Sequence, residues 1–305
     1  MIMEKIFRKV IKLYLSISLR KKFTRNTVYQ TCHLCGEKSF SVLANKERYS
    51  IPLRTVLCNS CGLIFFDPMP TSYLLKIIYE NYYQRFHRNA IYPSESVIQR
   101  EKKRAQKCIN LIGKYSFPET LRVLDIGCSA GYILSEIKNT FNDKDVLLTG
   151  IEPDKNYVSF IKNTHPEIDV YCGMLENYSS IKKYNLVLLM HGLEHILNPT
   201  RALEIIKTLL SPSGILYLET PNIFRTTNKL SDFFLFSKLY TFTPISLQYF
   251  LEKNGFEMIE CNDRDDKHIC ALFKYSPKTS KRLNFSDLKQ NKNNLRQFLN
   301  IKKKE

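Results

Sequence analysis

Arg122-Val123-Leu124-Asp125-Ile126-Gly127-Cys128-Ser129-Ala130-Gly131, followed by Tyr132-Ile133-Leu134-Ser135-Glu136-Ile137, is the most informative run in this chain. An apolar stretch gives way to small residues, and apolar positions at helical spacing resume at once, which predicts strand, tight turn and helix. Gly127 and Gly131 suit a turn that takes positive φ and lets backbone approach a ligand. The turn opens onto a helix N-terminus, where unpaired N–H groups face the strand ends. One βα unit later, Leu148-Thr149-Gly150-Ile151-Glu152-Pro153 ends a second apolar run in an acid. A carboxylate at that place can accept both hydroxyls of a ribose.

Working outward, apolar runs alternate with helical patterns. Strands are expected near 122–126, 146–151, 168–172, 185–190 and 214–219, with helices near 131–140, 154–164 and 199–210. Thr243-Pro244 starts a further helix that ends at Gly255, and two last strands follow, Phe256–Cys261 and Ile269–Tyr275. This is an α/β pattern built on a parallel sheet.

The chain has 305 residues and a formal net charge of +17. The charge is not spread evenly: residues 1–26 and 276–305 carry +7 each, which leaves +3 for residues 27–275. Basic ends suit a membrane surface, nucleic acid or an acidic partner, while the body is nearly neutral. Ile2, Met3, Ile6, Phe7, Val10, Ile11, Leu13, Tyr14 and Ile17 fall on one arc of a helix whose other arc is cationic. Residues 1–30 therefore read as a basic amphipathic helix, with residues 1–22 a candidate peripheral membrane contact or a docking helix. No run approaches the roughly 20 apolar residues of a membrane span, and the cysteine usage suits a reducing compartment, so a cytoplasmic protein, peripheral to the inner membrane face, is expected.

Cys32-His33-Leu34-Cys35-Gly36 and Cys58-Asn59-Ser60-Cys61-Gly62 are two matched knuckles separated by 22 residues. Thiolates at this spacing close a tetrahedral zinc site with no open position, so Cys32, Cys35, Cys58 and Cys61 are expected to be structural ligands within a ribbon over 31–70. Five scattered cysteines read as small core residues. Asp67-Pro68-Met69-Pro70 is expected to end the module. Residues 71–118 form a helical connector, with helices from about 73 and over 95–115, and an aromatic cluster at Tyr79, Tyr82, Tyr83, Phe86 and His87. Residues 119–275 form the α/β domain and 276–305 a basic Lys/Asn-rich tail.

Leu121–Gly131, Gly150–Pro153, Asn185–Pro199, Leu209–Asn222 and Phe242–Phe256 together resemble the successive motifs of class I S-adenosylmethionine-dependent methyltransferases. Cys58–Pro70 with the tyrosine-rich connector is similar to the subgroup that has an N-terminal zinc ribbon, best known for C-methylation of nucleotide-linked deoxysugars. The resemblance implies a Rossmann-like sheet of seven strands. It also implies that Asp125, Gly127 and Gly131 hold the methionine portion of the cofactor and that Glu152 holds the ribose. Met174 and Leu175 would cover the adenine, and Met190 would end the fourth strand beside the methyl group.

Methyl transfer to a hydroxyl, or to a carbon next to a carbonyl, needs a base. His191, Glu194 and His195 share one face of a helical turn after the fourth strand and are the candidates, with Glu194 orienting a histidine. In the sugar C-methyltransferases a Glu-His pair precedes the Thr243-Pro244 helix start, and here Ser237 and Lys238 stand there. O-methylation of a sugar, nucleotide-sugar, glycan or glycolipid is therefore an equal expectation. Tyr240, Lys238 and residues 223–240 are where acceptor specificity is expected. An RNA methyltransferase and a cofactor-binding protein without catalysis are the weaker alternatives.

Overall fold

The computed structural model describes residue 23 and residues 27–48, 51–78, 92–226, 233–262, 267–276 and 285–302. The expected amphipathic helix over 2–17 and the aromatic cluster over 79–87 lie outside the described residues.

The cysteine module comes first. It contains β1 (Thr27–Val28), β2 (Phe40–Ala44), β3 (Thr55–Cys58), β4 (Ile64–Phe66) and β5 (Met69–Pro70). The connector follows with α1 (Ser72–Ile78), whose Leu74 N–H donates to Thr71 Oγ1, and α2 (Glu95–Ile112). The main domain then alternates β6 (Thr120–Ile126), α3 (Tyr132–Thr140), β7 (Asp145–Glu152), α4 (Lys155–Thr164), β8 (Ile168–Cys172), β9 (Tyr184–Met190), α5 (Pro199–Leu209) and β10 (Leu210–Pro221). β11 (Tyr240–Thr241), α6 (Pro244–Lys253), β12 (Phe256–Asn262), β13 (His268–Tyr275) and α7 (Phe285–Lys302) complete the chain. Thr243 caps α6 through a reciprocal capping box with Ser246, and Pro244 occupies its first turn.

The main sheet has seven strands in the order β12-β13-β10-β9-β6-β7-β8, the expected Rossmann-like count. β8, β7, β6, β9 and β10 run parallel, while β13 is antiparallel to β10 and to β12. β9 shows why this sheet is buried on both sides. Leu186, Leu188 and Met190 join one apolar cluster, with Ala105, Cys108 and Ile112 of α2, whereas Val187 and Leu189 join the opposite one. Chain order reverses between β6, from which the sheet runs through β7 to β8, and β9, from which it runs to β10. Ligands collect at that switch, outside the C-terminal strand ends.

Gly150, inside β7, lies beneath the glycine turn. A Cβ there would stand 2.5 Å from Cys128 Sγ. Gly150→Ala is expected to destabilise the fold by about 1–3 kcal/mol through overpacking. Urea unfolding checks this, and an unchanged midpoint would show that the turn yields freely.

The module does not stand apart. Cys32, Leu34, Phe65 and Met69 share one apolar cluster with Leu124, Val187 and Leu216 of the main sheet. β11, from the far side of the main domain, pairs with β4 and completes a four-stranded sheet in the order β11-β4-β3-β2. Two sequence expectations change here. Met69–Pro70 does not end pairing: it forms a short edge pair with Thr27–Val28, a place where proline is tolerated. The Lys/Asn-rich tail contains helix α7, whose buried Leu288, Leu295 and Leu299 recur at helical spacing. Of the five scattered cysteines, Cys108, Cys128 and Cys270 are core residues, Cys261 is half-buried and Cys172 is exposed. Among the described residues no helix is long and apolar enough to cross a membrane.

Candidate active site

The C-terminal ends of the parallel strands gather the expected residues. Asp125 lies near the end of β6, fully buried, and its Oδ2 has no hydrogen-bond partner among the described residues. Gly127 and Gly131 adopt φ of 80° and 84°, and Ser129 is also left-handed at 53°. A Cβ at Gly127 would meet nothing within 4 Å, so the turn borders open space rather than packed protein.

Glu152, at the end of β7, accepts from the Ser129 N–H at 2.9 Å and from the Asp154 N–H at 2.9 Å. One carboxylate thus braces the glycine turn from the C-terminal end of β7. A residue the sequence reading did not select completes the arrangement. Glu101 of α2 is buried and accepts from the N–H groups of Ala130 at 3.1 Å and Tyr132 at 3.3 Å. Burial, together with the negative charges of Glu101 and Glu152, pushes the Asp125 carboxyl well above the ordinary carboxylate range. Three acids around an open glycine turn make a site for a ligand that carries positive charge. Further along, Leu175 is buried and Met174, before it, is half-exposed, so an apolar surface flanks the end of β8.

The fourth strand ends in Met190, buried, and His191, whose backbone is left-handed at φ 52°. Such a conformation in a non-glycine residue is strained and is held by its surroundings. His191 N–H donates to Glu219 O at 2.7 Å. Its ring is clamped between two carboxylates: Nδ1 lies 3.2 Å from Glu194 Oε1 and Nε2 lies 2.9 Å from Glu219 Oε1. Two carboxylate neighbours require both nitrogens to donate, which is the imidazolium form. Burial opposes that charge, but the hydrogen bonds to Glu194 and Glu219 outweigh it and raise the histidine above its usual value. Burial would likewise keep Glu194 protonated, yet His191 and His195 bring it down to about 2. Glu194 Oε2 also accepts from Thr220 Oγ1 at 3.2 Å.

His195 sits on a short 3-10 turn, Leu193–His195, with Nδ1 2.5 Å from Ser237 O. Burial lowers its proton affinity, and Lys238 adds to that. The structure brings His191, Glu194 and His195 together, with His195 Nε2 3.9 Å from Glu194 Oε1. The Tyr240 ring is buried, and its hydroxyl donates to Leu197 O. Lys238 Nζ stacks 5.1 Å over the Phe233 ring.

Three further residues close the corner. Glu219 of β10 is fully buried, with Arg104 Nε at 3.4 Å and His268 Nδ1 at 3.3 Å from the same Oε1. His268 opens β13, and because β13 is antiparallel its first residue pairs beside Pro221 at the ligand-bearing end of the sheet. In sequence, Glu219 was visible as a lone acid closing the apolar run Ile215–Leu218, and Glu101 as an acid in the apolar stripe Val97, Ala105, Cys108, Ile112. His268 left no such mark.

The family model for the methyltransferase domain matches residues 98–261, more than half of the chain. The chain belongs to that family. A ubiquinone biosynthesis O-methyltransferase of Bradyrhizobium diazoefficiens is 27% identical to this chain over 106 residues, 33% of this chain and 40% of that protein. One from Rhodopseudomonas palustris is 30% identical over 108 residues, 34% of this chain and 41% of its own. The alignment therefore spans about two fifths of the length of these curated relatives. Mitomycin 7-O-methyltransferase superposes with a TM-score of 0.52 at 14% identity, covering 66% of this chain and 60% of that one. The plantazolicin methyltransferase, solved with a substrate analogue and SAH, gives 0.50 at 15% identity over 67% of this chain and 94% of its own. At such identities the structures speak to the fold. This chain keeps the fold and adds the cysteine module ahead of it.

In that module Cys32 Sγ lies 3.4 Å from Cys61 Sγ and Cys35 Sγ 3.5 Å from Cys58 Sγ, and the four sulfurs lie within 4.8 Å of one another. Disulfides need about 2.05 Å. Sulfurs around a tetrahedral zinc with bonds of about 2.3 Å stand roughly 3.8 Å apart, which this cluster approaches. Gly36 and Gly62 take φ of 82° and 80° directly after the second cysteine of each knuckle.

Proposed function

We propose that this chain transfers the methyl group of S-adenosylmethionine to a hydroxyl of a small or sugar-containing acceptor, and that Cys32, Cys35, Cys58 and Cys61 hold a structural zinc. The observation that carries the first reading is the acid cradle at the sheet's switch point. Asp125 keeps an unpartnered buried oxygen there, and Gly127 leaves open space beside it. When bound, S-adenosylmethionine supplies a methyl carbon made electrophilic by its sulfonium. Glu101, Asp125 and Glu152 balance the charge of its ammonium and sulfonium, and Glu152 accepts the ribose hydroxyls with the lone pairs the backbone leaves. Met174 and Leu175 exclude water from the adenine side. The chain's contribution is mainly to fix the acceptor in line with the methyl group.

Oxygen is favoured over carbon as the acceptor atom. Ser237 is buried with its carbonyl on His195, and Lys238 is stacked on Phe233, so that segment offers no carboxylate–histidine pair to take a proton from carbon. The O-methyltransferase relatives favour the same choice. The sugar character of the acceptor rests on the module and connector motifs in the sequence.

Calorimetry with S-adenosylhomocysteine tests the cradle. Wild type is expected to bind, and Glu152→Ala to lose about 3 kcal/mol, roughly a hundredfold in Kd, as two hydrogen bonds to a charged group disappear. Equal affinity in the variant would refute the ribose assignment. Label from methyl-tritiated cofactor is expected to enter glycan or small-molecule fractions of a lysate, and label in RNA or protein would overturn the acceptor reading.

A further inference from the structure

We infer that His191, Glu219 and His268 form a binding site for a divalent first-row cation on the acceptor side of the cradle. The inference goes beyond methyl transfer; only the catalytic role given to the cation rests on that reading. The three side chains come from β10, from the residue after β9 and from the first residue of β13, and their ligand atoms lie within 4.8 Å of one another. His191 Nε2 is 2.9 Å and His268 Nδ1 is 3.3 Å from the same oxygen, Glu219 Oε1. Ligand atoms around a cation with bonds of about 2.1 Å are separated by roughly 3.0 Å in octahedral and 3.4 Å in tetrahedral geometry, so the observed spacings match a shared metal. The two imidazole rings stand at 89° with centroids 4.6 Å apart, edge to face rather than stacked.

The surroundings are those of a ligand set. Glu194 Oε1 accepts from His191 Nδ1 at 3.2 Å and keeps that proton in place, so an arriving cation displaces only the Nε2 proton and takes its lone pair, the carboxylate–histidine–metal arrangement. Tyr217 Oη donates to Glu219 Oε2 at 3.4 Å and holds the carboxylate's other oxygen. The strained backbone at His191 is spent on directing this ring. Two histidines and one carboxylate leave coordination positions open, and the donor set suits manganese, iron, cobalt or zinc rather than calcium. Arg104 competes, with its Nε 3.4 Å from Glu219 Oε1; it is 23% exposed, so water can receive it when a cation arrives.

The coordination positions that three protein ligands leave open give the cation a task. It binds the acceptor hydroxyl and lowers its pKa, so that the proton leaves to water. The oxygen lone pair then forms the O–C bond as the C–S bond of the sulfonium donor breaks, and that electron pair stays on sulfur as the thioether. This supplies what the clamped His191 does not, since both of its nitrogens already face carboxylates.

Manganese is the probe, because a hard cation leaves the thiolate cluster alone. The full chain, purified with its zinc, is titrated with Mn2+ while free Mn2+ is followed by electron paramagnetic resonance. Wild type is expected to take up one ion per chain, with His268→Ala and His191→Ala weakening it at least about tenfold. Arg104→Met is expected to tighten it several-fold by removing the competing charge, a gain that misfolding cannot imitate. Absence of uptake, or equal affinity in wild type and both histidine variants, overturns the site. S-adenosylhomocysteine affinity, measured on the same samples, reports the cofactor cradle separately, so that reading can fail while the manganese result stands.

Discussion

Cys58→Ser in the full chain is expected to release zinc and lower the melting temperature by roughly 10 °C, the scale set by losing several kcal/mol of a metal site that is coupled to folding. The loss does not stay in the module. Cys58 belongs to the same buried cluster as Leu124, Val187 and Leu216, so loosening one knuckle opens the face of the main sheet. Glu47 accepts from the N–H of Ile51 and from the N–H of Phe236, and Lys253 Nζ donates to Leu34 O at 2.8 Å. β11 pairs with β4, and Ser237, just before it, holds His195. Segment 233–241 is therefore folded partly by the cysteine module and in turn fixes one wall of the candidate acceptor side. Methyl transfer is expected to fall with zinc content, while the effect on S-adenosylhomocysteine affinity is smaller, because the cradle is built from α2, β6 and β7. Atomic absorption on wild type and variant measures the metal, and thermal melts measure the coupling. Full zinc content and an unchanged melt in Cys58→Ser would show that the four sulfurs make no site.

Much of this organisation could be read from residues. The strand–turn–helix at Arg122–Gly131, the acid at Glu152 and the knuckles at Cys32 and Cys58 are local patterns, since each is a few consecutive residues doing one job. The α6 start at Thr243-Pro244 was legible for the same reason. What escaped depends on contacts between distant segments. The two-residue strand at Tyr240 is defined only by pairing with β4. Helix α7 was masked by its Lys and Asn content, although Leu288, Leu295 and Leu299 keep a helical stripe, of which Leu295 and Leu299 pack in one cluster with Leu57, Ile64 and Ile223. His268 reaches the site only because β13 runs antiparallel, and a single sequence does not fix strand direction. His191 was readable as a site residue, but not its clamped state, because Glu219 comes from 28 residues away.

Glu101 separates the two kinds of information most sharply, and its removal should have the second large effect. In sequence its place in the apolar stripe of Val97 and Ala105 is masked by the charged run Arg100-Glu101-Lys102-Lys103-Arg104. In the fold it points inward and satisfies two backbone donors, one in the glycine turn and one at the first residue of α3. Glu101→Ala leaves those N–H groups without that acceptor, at about 1–3 kcal/mol each. Part of that cost is offset, because one member of the repelling Glu101–Asp125–Glu152 set is gone. The turn proposed to hold the methionine portion of the cofactor then loses its shape as well as part of its charge. S-adenosylhomocysteine affinity is therefore expected to fall more than about a hundredfold, beyond the Glu152→Ala loss, with a lower melting temperature as well. Glu101→Gln distinguishes shape from charge. Its amide oxygen accepts one of the two N–H groups, so stability should recover in part while cofactor affinity stays low. Calorimetry on both variants decides the point: full affinity in Glu101→Gln would assign the residue to bracing alone, and full affinity in Glu101→Ala would remove it from the site.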